Sequence, residues 1–260
     1  MSDLYMKDTY LNTEIEYLTN RSIIEYDLKS ANTSLCKEYE LLPSDEIEKI
    51  ESLDKKKRVV RIGLLQRKDK SFKEKLSASF IDIRKRFFEA NHIEDKQILS
   101  IKKDAIFTIG EVEETDFGFC HFVEKNRYTS YLYIKNAFNR FEFYYSSDGK
   151  LDIKGLGDEA YALHKEYLIS FFKQIFFHME NSSPQTLYRY LSRFATKYKK
   201  RELDIGYYRE FTQNSIFHLM DHEETYSDSQ YIPYEDREKH VDIDYNFSQV
   251  IMPLVRMFVF

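Results

Sequence analysis

Between residues 71 and 92, the stretch SFKEKLSASFIDIRKRFFEANH brings apolar side chains back at Phe72, Leu76, Phe80, Ile83 and Phe87. Steps of three and four keep these positions on one side of a helix, so the spacing predicts an amphipathic helix with one buried stripe, and Asn91 is a natural stop. The period then changes. ILSIKKDAIFTIG, residues 98–110, reads as two short apolar strands folded about a charged tip, Lys102-Lys103-Asp104. A strongly periodic helix running into a hairpin sets the class as α+β.

The rest of the chain follows the same alternation. RSIIEYDL (21–28) is a strand ending near Asp27, and SANTSL after it is a turn or a helix start. Ser44 caps a short helix that carries Ile47, Ile50 and Leu53. FGFCHFVEK, TSYLYIKNA and RFEFYYSSDGKLDIKGL are aromatic-rich strands, with Asp148-Gly149 as a hairpin turn. From about 159 the helical period returns in EAYALHKEYLISFFKQIFFHME. Ser183-Pro184 then starts a second helix with Leu187, Leu191, Phe194 and Tyr198 facing inward. Arg189, Arg193 and Lys197 recur every four residues on another face, a row suited to a phosphate backbone. These elements make one unit over 1–260. Within it, 36–97 is a basic helical insertion, 98–158 a set of hairpins, 159–220 a helical part, and 221–260 an acidic tail with an apolar end.

The net charge of −5 masks strong local charge. Residues 55–75 and 189–201 are basic islands, while 221–244 carries opposing acid; local patches, not the sum, set affinity for phosphate. Lys-rich stretches also serve as plain solvated faces. No apolar run is long enough to span a membrane. Cys36 and Cys120 stand alone, which disfavours a disulfide framework or structural zinc and points to a reducing, cytoplasmic setting. Twenty-one Tyr and 21 Phe with no Trp, 7 Gly and 4 Pro suggest an AT-rich, viral coding sequence. His218 and His222 stand at the i, i+4 spacing of a helical metal pair, although a polar helix end explains them equally. Tyr128, Tyr131 and Tyr144 are either core residues or stacking platforms for bases.

If the strand ending at Asp27 neighbours the hairpin that carries Asp104, both carboxylates project at one sheet edge. Two hard oxygen ligands so placed suit a pair of Mg²⁺ ions roughly 3.5–4 Å apart, the clamp of in-line phosphoryl transfer. Asp at a strand end or hairpin tip is also ordinary turn chemistry.

EYDLKSANTSL resembles the first palm motif of family B DNA polymerases, an Asp ending a strand and followed by Ser-Leu-Tyr-Pro-Ser. Asp27, Ser30, Ala31, Asn32, Thr33 and Ser34 stand at those positions. LSIKKDAIFTI resembles the third motif, an Asp-Thr-Asp-Ser turn between apolar strands, with Lys102, Lys103, Asp104 and Ala105 in its places. NRFEFYYSSDGKLDIKGLGDEA resembles the Lys-Lys-Arg-Tyr strand and the Lys-Gly segment that lead into the thumb. The likeness runs over roughly residues 21–180.

What the resemblance implies is an antiparallel palm-like sheet with a finger-like helical insertion and a thumb-like helical part. Asp27 and Asp104 would be the catalytic residues and Mg²⁺ ligands. Lys102, Lys103, Lys75, Arg84, Lys85 and Arg86 would reach nucleotide phosphates, and Arg189, Arg193 and Lys197 would hold nucleic acid. Four departures accompany it. Lys102 replaces the other acid of the third motif, and Asn32-Thr33 replaces Tyr-Pro. No Lys-x-x-x-Asn-Ser-x-Tyr-Gly helix lies between the two Asp residues, and the 26 residues before Asp27 leave no room for a proofreading exonuclease. The chain therefore reads as a Mg²⁺-dependent nucleotidyltransferase or as a catalytically inactive descendant. The descendant would bind nucleic acid or a replication or transcription protein.

Overall fold

The computed structural model describes residues 3–135, 140–155, 158–200, 202–203, 218–220 and 231–233, and gives the backbone alone at 158–168, 199, 218–220 and 231–233. The chain divides into two compact units, one of residues 1–15 and 21–128 and the other of 16–20 and 129–260.

The first unit is built on a six-stranded antiparallel sheet. Its strands are β1 (Thr9–Leu11), β3 (Ile23–Leu28), β4 (Ile98–Lys102), β5 (Ala105–Ile109), β6 (Asp116–Phe117) and β7 (Cys120–Tyr128), in the order β1-β4-β5-β3-β7-β6. Four helices accompany it: α1 (Ala31–Glu38), α2 (Ser44–Glu51), α3 (Lys55–Lys68) and α4 (Lys70–Ala90). The 3.6-residue stripe of α4 lies where the spacing predicts. Phe72, Leu76, Phe80, Ile83 and Phe87 are buried in one core with Ile24, Tyr26 and Leu28 of β3, Ile101 of β4 and Ile106 of β5. Asp69 both ends α3 and begins α4. Its N–H donates to the Leu65 carbonyl at 2.9 Å, and its carboxylate accepts from the Phe72 N–H at 3.1 Å, satisfying one of the free amides of the new helix. Asn91 stops α4 as expected. Its side-chain amide donates to the Phe87 carbonyl and its oxygen accepts from the N–H groups of Glu113 and Glu114.

The second unit carries the four-stranded antiparallel sheet β10-β9-β8-β2, from β2 (Tyr17–Leu18), β8 (Ser130–Lys135), β9 (Arg140–Tyr145) and β10 (Leu151–Lys154). The β9–β10 turn has Gly149 at φ 79°, the left-handed backbone that favours glycine in a hairpin. Helices α5 (Asp158–Asn181) and α6 (Pro184–Lys199) complete its core, where Phe143 of β9 stacks on Phe172 with centroids 3.7 Å apart. Ser183 caps α6 through the Thr186 N–H, and Leu187, Leu191, Phe194 and Tyr198 are buried as the pattern requires. Further on, β11 (His218–Met220) and β12 (Tyr231–Pro233) form a parallel pair. The acidic tail and its apolar end lie, apart from these strands, outside the described residues. No described helix is long and apolar enough to cross a membrane.

Candidate functional site

β3 is the central element. Ile24, Tyr26 and Leu28 enter the core, so alternation along the strand puts Ile23, Glu25 and Asp27 on the opposite face. Asp27 sits across from Ala105 of β5 on one side and Val123 of β7 on the other. Beside it the Leu28 N–H donates to the Asp104 carbonyl at 2.9 Å. The strand end and the hairpin tip are therefore hydrogen-bonded neighbours. Their carboxylates also interact: burial raises the Asp27 pKa above the ordinary carboxylate value, and Asp104 raises it further. The turn itself is two residues, Lys103-Asp104, with Lys102 closing β4 opposite Ala105 instead of standing in the tip.

That tip is held from three directions. Lys103 has φ 58°, an uncommon conformation for a side-chain-bearing residue. Its N–H donates to the Asp8 carbonyl at 2.7 Å, and its own carbonyl accepts from Arg84 Nη1 at 2.9 Å. Arg84 also donates from Nε to the Tyr5 carbonyl and from Nη2 to Asp8 Oδ1, both at 2.8 Å. The Lys103 ammonium lies 5.1 Å from the Phe80 ring centroid, a cation–π contact.

A polar cluster that the sequence reading missed adjoins Asp27. Glu25 is 2% exposed, and its carboxylate accepts from Asn126 Nδ2 at 2.5 Å and from the Tyr128 hydroxyl at 3.3 Å. Lys125 Nζ bridges it to Asp27, lying 3.4 Å from Glu25 Oε1 and 3.5 Å from Asp27 Oδ1. Burial opposes the Lys125 charge, but the two carboxylates outweigh it and raise the Lys125 pKa. The signal was present in IIEYD. A glutamate two residues before Asp27, within an apolar strand, shares its face and needs a buried partner.

A family model for the bacteriophage PBS1 gene 130 protein matches residues 1–259. The chain belongs to this family. A phage family agrees with the viral origin suggested by the composition. A search of curated proteins finds no match.

The cations expected to meet phosphate fall in different surroundings. Arg84 is 1% exposed and donates to the Tyr5 and Lys103 carbonyls and to Asp8, so that it anchors the hairpin from the core side. Arg86 pairs with Glu38 at 2.8 Å, and Lys85 lies 3.7 Å from Glu89. Lys75 is exposed on α4, and Lys102 lies half-buried between Thr9 and Ala105. Arg189, Arg193 and Lys197 are all exposed along α6. Tyr128, Tyr131 and Tyr144 are at most 1% exposed, so burial takes the place of the base-stacking role. His218 lies in a strand, not in the helix that pairing with His222 requires, and His222 is outside the described residues.

Among the described residues no group of three or more His, Cys, Asp or Glu is arranged to hold a metal. The donor set at Asp27 and Asp104 still suits Mg²⁺, which binds through one or two carboxylates and keeps waters or substrate phosphates as its other ligands. A cation there would offset the burial and carboxylate repulsion that raise the Asp27 pKa. Lys125 already supplies part of that charge.

Proposed function

We propose that this protein is a reduced, polymerase-like palm that binds nucleic acid and nucleotide, with Asp27 and Asp104 as the pair that holds Mg²⁺ for nucleotidyl transfer. The observation that carries the reading is the β3–β5 register, which sets Asp27 against Ala105 and ties Leu28 to Asp104. Mg²⁺, when bound, supplies the charge that activates a 3′-hydroxyl and neutralises a triphosphate. The chain's part is to fix the two carboxylates on adjacent backbone, through a turn whose carbonyls are pinned by Arg84 and Leu28. The exposed row Arg189, Arg193 and Lys197 would give salt-dependent attraction to a phosphate backbone.

A second reading is favoured by Lys125. An ammonium bridging Glu25 and Asp27, together with Lys102 in place of an acid, suits a palm that has given up chemistry and binds nucleic acid or a replication or transcription protein. One experiment separates the two. Primer-template extension with Mg²⁺ is measured for the wild type, Asp27→Asn and Asp104→Asn, alongside primer-template binding at two salt concentrations. The enzyme reading expects each variant to lose about a thousandfold in incorporation, equivalent to several kcal/mol of lost charge stabilisation, with template binding retained. A wild type that binds template but incorporates nothing supports the retired palm. Full activity in either variant removes the site assignment.

A further inference from the structure

Helix α3 lies outside this site and has an unexplained outer face. Its inner side is pinned by Ile62, 2% exposed, and by Leu65 packed against the core. The outer side repeats the pattern of a second buried stripe. Lys56, Val59, Val60, Gly63, Leu64 and Arg67 recur at steps of three and four, the spacing that puts residues on one helical face. Val59, Val60 and Leu64 are 59%, 61% and 42% exposed. Gly63, in their midst, has no packing reason among the described residues: a Cβ built on it would meet nothing within 4 Å. A glycine inside an exposed helix lowers helix stability, and here it leaves a bare backbone notch bordered by branched apolar side chains. Half of the residues of α3 are Lys or Arg and none is acidic.

We propose that this face docks an amphipathic helix of another protein, with small or apolar residues that seat on Val59, Val60 and Leu64 at the Gly63 notch and acidic residues that meet Lys56 and Arg67. Charge selects this occupant over the alternatives. A second copy of the chain would set the same basic face against itself, because a two-fold contact joins like to like. Nucleic acid would find no aromatic side chain on the face to stack upon, and would leave three aliphatic groups against phosphate. A lipid surface calls for a broad apolar face with aromatic or leucine residues, wider than three aliphatic side chains broken by a glycine. Apolar anchors ringed by charge are the anatomy of a protein interface.

The test uses the full chain and a fluorescein-labelled synthetic helix on the order of 18 residues, five turns. The probe has an Ala and Leu stripe with Glu at both ends, and is titrated at about 0.15 M salt, where the Debye length is near 8 Å. Saturable binding is expected, weakened at least about tenfold by the neutral pair Val60→Ser/Leu64→Ser, since two apolar anchors are lost. Lys56→Glu/Arg67→Glu should reject this probe and accept one with Lys at both ends. Gly63→Ala should raise the melting temperature of the free protein by about 2–4 °C while weakening the probe.

Duplex DNA and anionic vesicles are run in parallel with Val60→Ser/Leu64→Ser. A loss there equal to the loss for the peptide would overturn the proposal. So would absence of peptide binding, indifference to both double variants, or a dimer in ultracentrifugation that the serine pair dissolves. Should the serine pair melt below the assay temperature, the charge-swapped pair of variant and probe decides alone.

Discussion

The two faces of β3 divide six residues between two tasks. Ile24, Tyr26 and Leu28 enter an apolar core against α4, while Ile23, Glu25 and Asp27 lie on the other face, where Lys125, Asn126 and Tyr128 meet the two carboxylates. The apolar face explains how the charged one is positioned. A one-residue slip of β3 would carry Glu25 and Asp27 into the core and expel Tyr26 and Leu28, so burial of the first face fixes the register of the second. The carboxylates therefore borrow their precision from side chains that never touch them. On the charged face the interactions are fewer and polar, and each depends on a specific partner.

Breaking the apolar face should have the larger effect. Phe87 is fully buried, with ring centroids 4.4 Å from Phe122 and 5.8 Å from Tyr26. Phe87→Ala is expected to lower unfolding free energy by about 3–5 kcal/mol in urea denaturation, the usual range for an aromatic truncated in a core. Arg84→Met comes next and sharpens the comparison, because Arg84 is a polar group working from the apolar side. Its loss leaves the Tyr5 and Lys103 carbonyls without their donor, at roughly 2–4 kcal/mol for the two together. Hydrogen exchange should quicken at the Lys103 amide more than at the amides of β3. Uniform acceleration across the sheet would mean that Arg84 supports the whole unit and not the hairpin in particular.

Much of this was legible in the sequence wherever one period ruled. The α4 stripe, the 98–109 hairpin, the Asp148-Gly149 turn and the inward residues of α6 each follow from spacing or turn chemistry that tertiary contacts leave unchanged. Three features were not legible, for separate reasons. Helix α3 looked like a basic island because it buries one residue, Ile62, within a run of cations. Arg84 looked like a surface cation, although it stands four residues after Phe80 and between Ile83 and Phe87, inside the stripe; only long-range acceptors at Tyr5, Asp8 and Lys103 make burial there tolerable. Lys125 gave no signal, because its partners lie about a hundred residues away in β3 and meet it only through strand pairing. The adjacency of Asp27 and Asp104 was an inference from sheet neighbours, and the β3–β5 register has that form.

The smallest expected effect lies on the charged face and has the opposite sign. Burial, Asp104 and Glu25 raise the Asp27 pKa, and the opposing pull of Lys125 does not cancel them. The folded state thus holds a proton on Asp27 at pH values where the unfolded chain has lost it. Stabilisation by the neutral form is complete below the ordinary carboxylate pKa and fades as pH rises through the folded value. Asparagine is neutral at every pH and keeps that stabilisation. Asp27→Asn should therefore melt slightly above the wild type at pH 7, and the gap should close as pH falls below about 4. A variant that melts lower at pH 7 would mean that the Lys125 contact outweighs burial and repulsion together. A gap that does not change with pH would place its source in packing rather than in ionisation. Stability gained by neutralising a carboxylate at this position, with binding or incorporation lost, is the pattern of a charge kept for a task other than folding.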